Sequence, residues 1–120
     1  THAPADIAYP KGKIKRGGIT DRLLADFPNL YGDLSANSGR NALGRDPEFA
    51  ADFLRRHQNK LMFGSDCPCK DGQGAGQVSQ EDWIRDKCVA RETLLALKQL
   101  TSPELFRKIT HDNAAKLLQL

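Results

Sequence analysis

The run Leu61-Met62-Phe63, which ends in Gly64-Ser65-Asp66, is apolar at three successive positions. A strand points successive side chains to opposite faces, so this one needs cover on both, the condition of a parallel strand between helices. An earlier segment, Leu30-Tyr31-Gly32-Asp33-Leu34-Ser35, alternates instead: Leu30 and Leu34 share one face, Tyr31, Asp33 and Ser35 the other. Between the two lies a strong helix start. Asp46 is a capping carboxylate, Pro47 takes the first helical position and Glu48 places an acid in the first turn. Phe49, Ala50, Phe53, Leu54 and His57 then fall on one stripe. This order predicts an α/β chain whose strands, at about 29–35 and 60–65, are parallel neighbours. They should be joined by a right-handed crossover through a helix at about 47–58.

The remaining punctuation extends the pattern. Residues 3–18, rich in Pro, Gly and Lys, read as a loop. A short helix follows, capped by Thr20 or Asp21, with Leu23, Leu24 and Phe27 on its apolar side and Pro28 at its end. Asn37, Ser38, Gly39 and Asn41 read as a polar turn. A Gly-rich loop at 70–80 leads to a helix at about 85–100, where Ala90, Leu94, Leu97 and Leu100 keep helical spacing. Ser102-Pro103-Glu104 starts another, carrying Leu105, Phe106 and Ile109, and a last helix from about Asp112 is expected to bury Ala114, Leu117 and Leu118. Two strands cannot close a sheet, and a β/α barrel takes about 250 residues. Residues 1–120 are therefore expected to form a partial domain, the C-terminal half of a (β/α)₈ barrel with extra terminal helices.

Composition excludes several classes. With 39% apolar and 28% charged residues the chain is neither disordered nor fibrous. It has no apolar run near the roughly 18 residues of a membrane span, so no membrane partner is expected. The net charge of +3 comes largely from Lys11, Lys13, Lys15 and Arg16, with Tyr9 the one aromatic neighbour. That is a solvated loop rather than a nucleic-acid surface. Cys67, Cys69 and Cys88 are odd in number and lack paired CxxC spacing, which indicates neither a disulfide framework nor a zinc ribbon. Reduced thiols in a cytoplasmic protein are the simpler expectation, and Cys67 and Cys69, although close to Asp66, are expected to be structural or incidental. The start at Thr1, without methionine, reads as a truncation that would uncover strand edges and apolar surface and favour a homo-oligomer.

In β/α barrels functional groups stand at the C-terminal ends of strands, and Asp66 stands at such an end. Gly64-Ser65-Asp66-Cys67-Pro68 after Leu61-Met62-Phe63 resembles the Gly-(Ser/Thr)-Asp-x-Pro segment ending strand eight in the amidohydrolase superfamily, notably the branch of small-acid hydrolases and decarboxylases. Tyr9-Pro10-Lys11-Gly12, Asn29-Leu30-Tyr31-Gly32-Asp33-Leu34-Ser35-Ala36, Asn41-Ala42-Leu43, Arg45-Asp46-Pro47-Glu48-Phe49 and Ile109 with Asn113 to Leu118 resemble that branch in collinear order. The resemblance implies that Asp66 ligates a divalent metal, Zn²⁺ by expectation, and takes a proton from the water the metal activates. It places His2 where a histidine ends strand six and makes it the second metal ligand.

On the residues themselves, Asn41 and Arg45 follow the first strand and could meet a substrate carboxylate, Arg45 by a bidentate fork, or serve the loop-to-helix junction. Asp33 would point into the barrel and need backbone or basic partners. His57, near the end of its helix, is expected to serve structure through the last carbonyls, and His111 to be a surface or packing residue. His2, His57 and His111 are too widely separated to supply the family's His-x-His pair, so these residues hold only part of a metal site. The expected activity is metal-dependent hydrolysis of a C–N, ester or lactone bond in a small-molecule substrate. A non-oxidative decarboxylase on the same scaffold and a non-catalytic binding module are the alternatives.

Overall fold

The computed structural model describes residues 9–120. Two short strands, β1 at Gly32–Asp33 and β2 at Leu61–Met62, pair in parallel with Gly32 opposite Leu61 and Asp33 opposite Met62. Backbone bonds prolong the pairing: the N–H of Gly32 donates to the Lys60 carbonyl at 2.8 Å, that of Leu34 to Met62 at 2.9 Å and that of Ala36 to Ser65 at 3.3 Å. The strands are thus adjacent and parallel, as the strand and helix signals predict, in a mixed α/β chain.

Helix α1, Ile19–Asp26, starts earlier than predicted, with Gly18 rather than Thr20 or Asp21 at its N-cap. Asp21 faces elsewhere. Its carboxylate accepts from Arg56 at 2.6 Å and lies 2.6 Å from His57 Nε2, so α1 is clamped to the end of α3, Pro47–Arg56. The Arg56 bond, aided by His57, holds the Asp21 carboxyl down at about 2. Its folded-state pKa is depressed, so the contribution is present above the ordinary value of 3.8 and lost as pH falls from there toward about 2. Acid titration of the chain should therefore show a melting temperature that drops across this window, and Asp21→Asn should flatten that part of the profile. A wild-type profile matched by the variant would remove the clamp from the account.

The start of α3 is as read: Asp46 Oδ1 accepts from the Phe49 N–H at 3.2 Å and Pro47 occupies the first turn. Ala50, Leu54 and His57 are buried along the predicted stripe. The supposed polar turn after β1 is instead a helix, α2 at Ala36–Gly44. Asn, Ser and Gly are weak helix formers, and packing supplies what propensity does not. Leu43 is buried, α2 packs on α4 at Val89–Leu100, and a side chain at Gly39 would stand 2.3 Å from the Leu34 carbonyl oxygen. Only glycine lets the helix cross the end of β1 so closely.

Helix α4 begins later than predicted, with Cys88 at its N-cap, and residues 63–88 form a loop of turns and bends. Ser102 caps α5, Pro103–Arg107, through a bond from the Leu105 N–H at 3.2 Å. A π-helical turn at Lys108–Asp112 follows and runs into α6, Asn113–Leu118. Here the expected apolar face is corrected: Leu117 and Leu118 are exposed, and Asn113 is what points inward. Its Nδ2 donates to the carbonyls of Gln58 at 2.6 Å and Leu61 at 2.8 Å. The N–H of Phe63 donates to the Ile109 carbonyl at 2.9 Å. Leu61 and Phe63 alternate with Met62, whose carbonyl meets β1, so the terminal helices occupy the other edge of β2. That edge is not open, contrary to the expectation of two free edges. Apolar surface is nonetheless exposed at Ile19, Phe27, Val78, Leu118 and Leu120, each more than half accessible.

The core lies between the strands and the helices. Leu24, Leu34, Leu43, Leu54, Leu61, Leu97 and Ile109 form one buried cluster, so the strands are packed by residues of α1 to α4 and of the π-helical turn.

Candidate active site

Both strands leave the sheet through a non-glycine residue in the left-handed region, Ala36 with φ 63° after β1 and Asp66 with φ 37° after β2. Such residues are uncommon, Asp tolerates the conformation better than most, and held strain of this kind concentrates at functional sites. The turn at Asp66 breaks the two-residue alternation that would extend from Met62 through Gly64. Asp66 is exposed at the C-terminal end of β2. Gly64 leaves room beside it as expected, but that room is taken by Asp33: a side chain at Gly64 would lie 2.5 Å from Asp33 Oδ1. Asp33 is exposed, not buried, and its Oδ1 accepts from the Ser35 N–H at 2.9 Å. The ends of the two parallel strands thus present two carboxylates at the edge where open and closed β/α sheets carry their sites.

Asn41 and Arg45 come together in a cleft of about 300 Å³ with Lys11, Gly12, Arg40, Gly44 and Trp83. Asn41 Nδ2 donates to the Pro10 carbonyl at 3.1 Å, which ties the basic N-terminal loop to α2. The Nε atoms of Arg40 and Arg45 are buried with no hydrogen-bond partner among the described residues. Lys11, Arg40 and Arg45 give the cleft a positive charge. Asp66 does not line this cleft. A larger cleft of about 640 Å³ lies between α3 and the terminal helices, beside Gln58 and so toward the N-terminal end of β2, away from the strand exits.

His2 lies outside the described residues. His57 is buried and structural, but its partner is the Asp21 carboxylate rather than helix carbonyls, and its ring packs edge-on against Phe53 with centroids 4.9 Å apart. His111 is exposed, with Nδ1 2.9 Å from Asp112 Oδ1. That bond holds the Asp112 carboxyl below its ordinary value. Asp46 is also held low, by the N–H groups of Ile14 and Phe49.

Three cysteines form a cluster that no local signal in the sequence marks. The sulfurs of Cys67, Cys69 and Cys88 all lie within 4.8 Å of one another, with Cys67 and Cys88 3.6 Å apart. All three are free thiols. Burial acts to raise the Cys67 thiol, but the N–H groups of Ala90, Cys69 and Val89, with the Cys88 thiol, outweigh it and hold it below the usual thiol range. Burial pushes Cys88 up, and the two neighbouring sulfurs add to that. No spacing signal marks this set, because Cys88 is brought back to the other two by the fold of the intervening loop.

A family model described as amidohydrolase matches residues 20–120. The chain belongs to the amidohydrolase family. Comparison with curated proteins and with solved structures gave no match. Among the described residues no helix is long and apolar enough to cross a membrane.

Proposed function

We propose that this chain is the C-terminal half of a (β/α)₈ barrel in a metal-dependent hydrolase acting on a C–N, ester or lactone bond of a small anionic substrate. The observation that carries the reading is Asp66, exposed in a left-handed turn at the end of a parallel strand, within a segment matched by the amidohydrolase family. An exposed carboxylate is an oxygen donor suited to a divalent cation, and Asp66 would hold that ion with His2 and with ligands from the other half of the barrel. When bound, a divalent metal supplies Lewis acidity that brings the pKa of a coordinated water toward about 7. Asp66 then serves as the proton acceptor at its carboxylate oxygen. Asn41 and Arg45 are assigned to the substrate carboxylate, with Arg40 and Lys11 adding positive charge to the same cleft. A closed barrel would exchange the bonds that Asn113 and Ile109 make to β2 for bonds from another strand.

The test is turnover by the full-length enzyme against amides, esters and lactones bearing a carboxylate, before and after chelation. Hydrolysis should be lost on stripping the metal and restored by Zn²⁺. Release of carbon dioxide from an aromatic acid, with none of the bonds above hydrolysed, would make the protein a decarboxylase. Absence of any metal-dependent turnover would make it a binding module.

A further inference from the structure

We infer that Cys67, Cys69 and Cys88 form a second metal site, a three-thiolate seat for Zn²⁺ that ties the two ends of the loop at residues 63–88. Thiolates about 2.3 Å from a tetrahedral zinc stand about 3.8 Å apart. The sulfurs of Cys67 and Cys88 are already 3.6 Å apart, and all three lie within 4.8 Å, so metal entry requires only small side-chain rotations.

Backbone donors surround two of the sulfurs, while Cys69 Sγ, as a thiol, also donates to Asp71 Oδ1 at 3.3 Å, a bond that metal entry would exchange for the metal. The N–H of Gly74 donates to Cys69 Sγ at 3.1 Å and that of Cys69 to Cys67 Sγ at 3.4 Å. Donors of this kind orient sulfur ligands and offset their charge. The loop is shaped to deliver them. Asp71 Oδ1 accepts from the N–H groups of Gln73 at 2.8 Å and Ala75 at 3.1 Å, making the turn that presents Gly74. Gly74 has φ +120°, and a side chain there would stand 2.3 Å from the Asp86 carbonyl oxygen, so the turn is also fastened to the residues just before Cys88. Loops beyond about 12–15 residues without regular structure are uncommon unless something holds or uses them. Here the candidate ligands come from both ends of the loop.

The chemistry is balanced by proton release: Zn²⁺ displaces one proton from each of three thiols, and water takes the fourth position. Cys67 and Cys69 are only partly buried, which leaves an entry path, and the Asp66 carboxylate is not a member of the cluster. Soft sulfur donors also distinguish this seat from a carboxylate and histidine site.

Cobalt titration of the reduced chain reads the site directly, because thiolate-to-cobalt charge transfer absorbs in the near ultraviolet. The band should appear with wild type and with Asp66→Asn. It should fall by at least about a third, the share of one thiolate in three, in each of Cys67→Ser, Cys69→Ser and Cys88→Ser. No band in wild type, a full band in any of the serine variants, or loss in Asp66→Asn would overturn the assignment. Since Cys88 is buried and its variant can misfold, the wild-type chain supplies a second readout. Zn²⁺ should slow the reaction of all three thiols with a thiol reagent, and a chelator should restore it. Equal reactivity with and without Zn²⁺ would also overturn the site.

Discussion

Leu61→Ala should lower the unfolding free energy by about 2–5 kcal/mol, the range for emptying a fully packed leucine site. Leu61 is 1% exposed and belongs to the central buried cluster. Its Cδ2 lies 2.9 Å from where a side chain at Gly32 would begin, so β1 and β2 close on each other through this residue. The surroundings have little freedom to collapse into the gap, because the Leu61 carbonyl is held by Asn113 and the adjacent Phe63 by Ile109. Against a typical total of about 5–15 kcal/mol, this is a large share of a small domain's stability. Urea denaturation should show a lower midpoint with the slope unchanged. A loss below about 1 kcal/mol would mean that the strand pair is not the centre of the core.

What was legible in the sequence follows from where each element draws its stability. Leu61-Met62-Phe63 and the Asp46-Pro47 and Ser102-Pro103 starts carry their structure in local residue chemistry; both helix starts appear where expected, and the strand appears there too but shorter, at Leu61–Met62. Helix α2 does not: Asn37, Ser38 and Gly39 argue for a turn, and only contact with the end of β1 and with α4 makes them helical. The last helix failed in the opposite sense. Leu117 and Leu118 satisfy a helical pattern, yet a π-helical turn at Lys108–Asp112 intervenes and Asn113 faces inward. The position of Asp66 at the end of an apolar strand was legible, but its left-handed backbone and the carboxylate of Asp33 against Gly64 were not. Both depend on the approach of a second strand. The partnership of His57 with Asp21 and the meeting of Cys88 with Cys67 and Cys69 likewise join residues far apart in the chain.

Asp66→Asn in the full-length enzyme should reduce metal-supported hydrolysis by about 10²-fold or more, the scale lost when a positioned proton acceptor is removed. The substitution keeps the shape of the side chain and, because Asn also tolerates φ near 37°, keeps the turn. Under the proposed function it removes the negative oxygen that would attract a divalent ion and accept the proton. A change confined to the turn would appear as a lower melting temperature with turnover per folded molecule unchanged. A change in the chemistry would appear as lost turnover at an unchanged melting temperature. The most direct measurement is therefore turnover per bound metal in wild type and Asp66→Asn, with melting temperatures recorded on the same samples. Equal melting, with turnover at least about 10²-fold lower in the variant, is the expected result. An Asp66→Asn enzyme that binds its metal and turns over at close to the wild-type rate would contradict it, and would leave Asp66 as a turn residue alone.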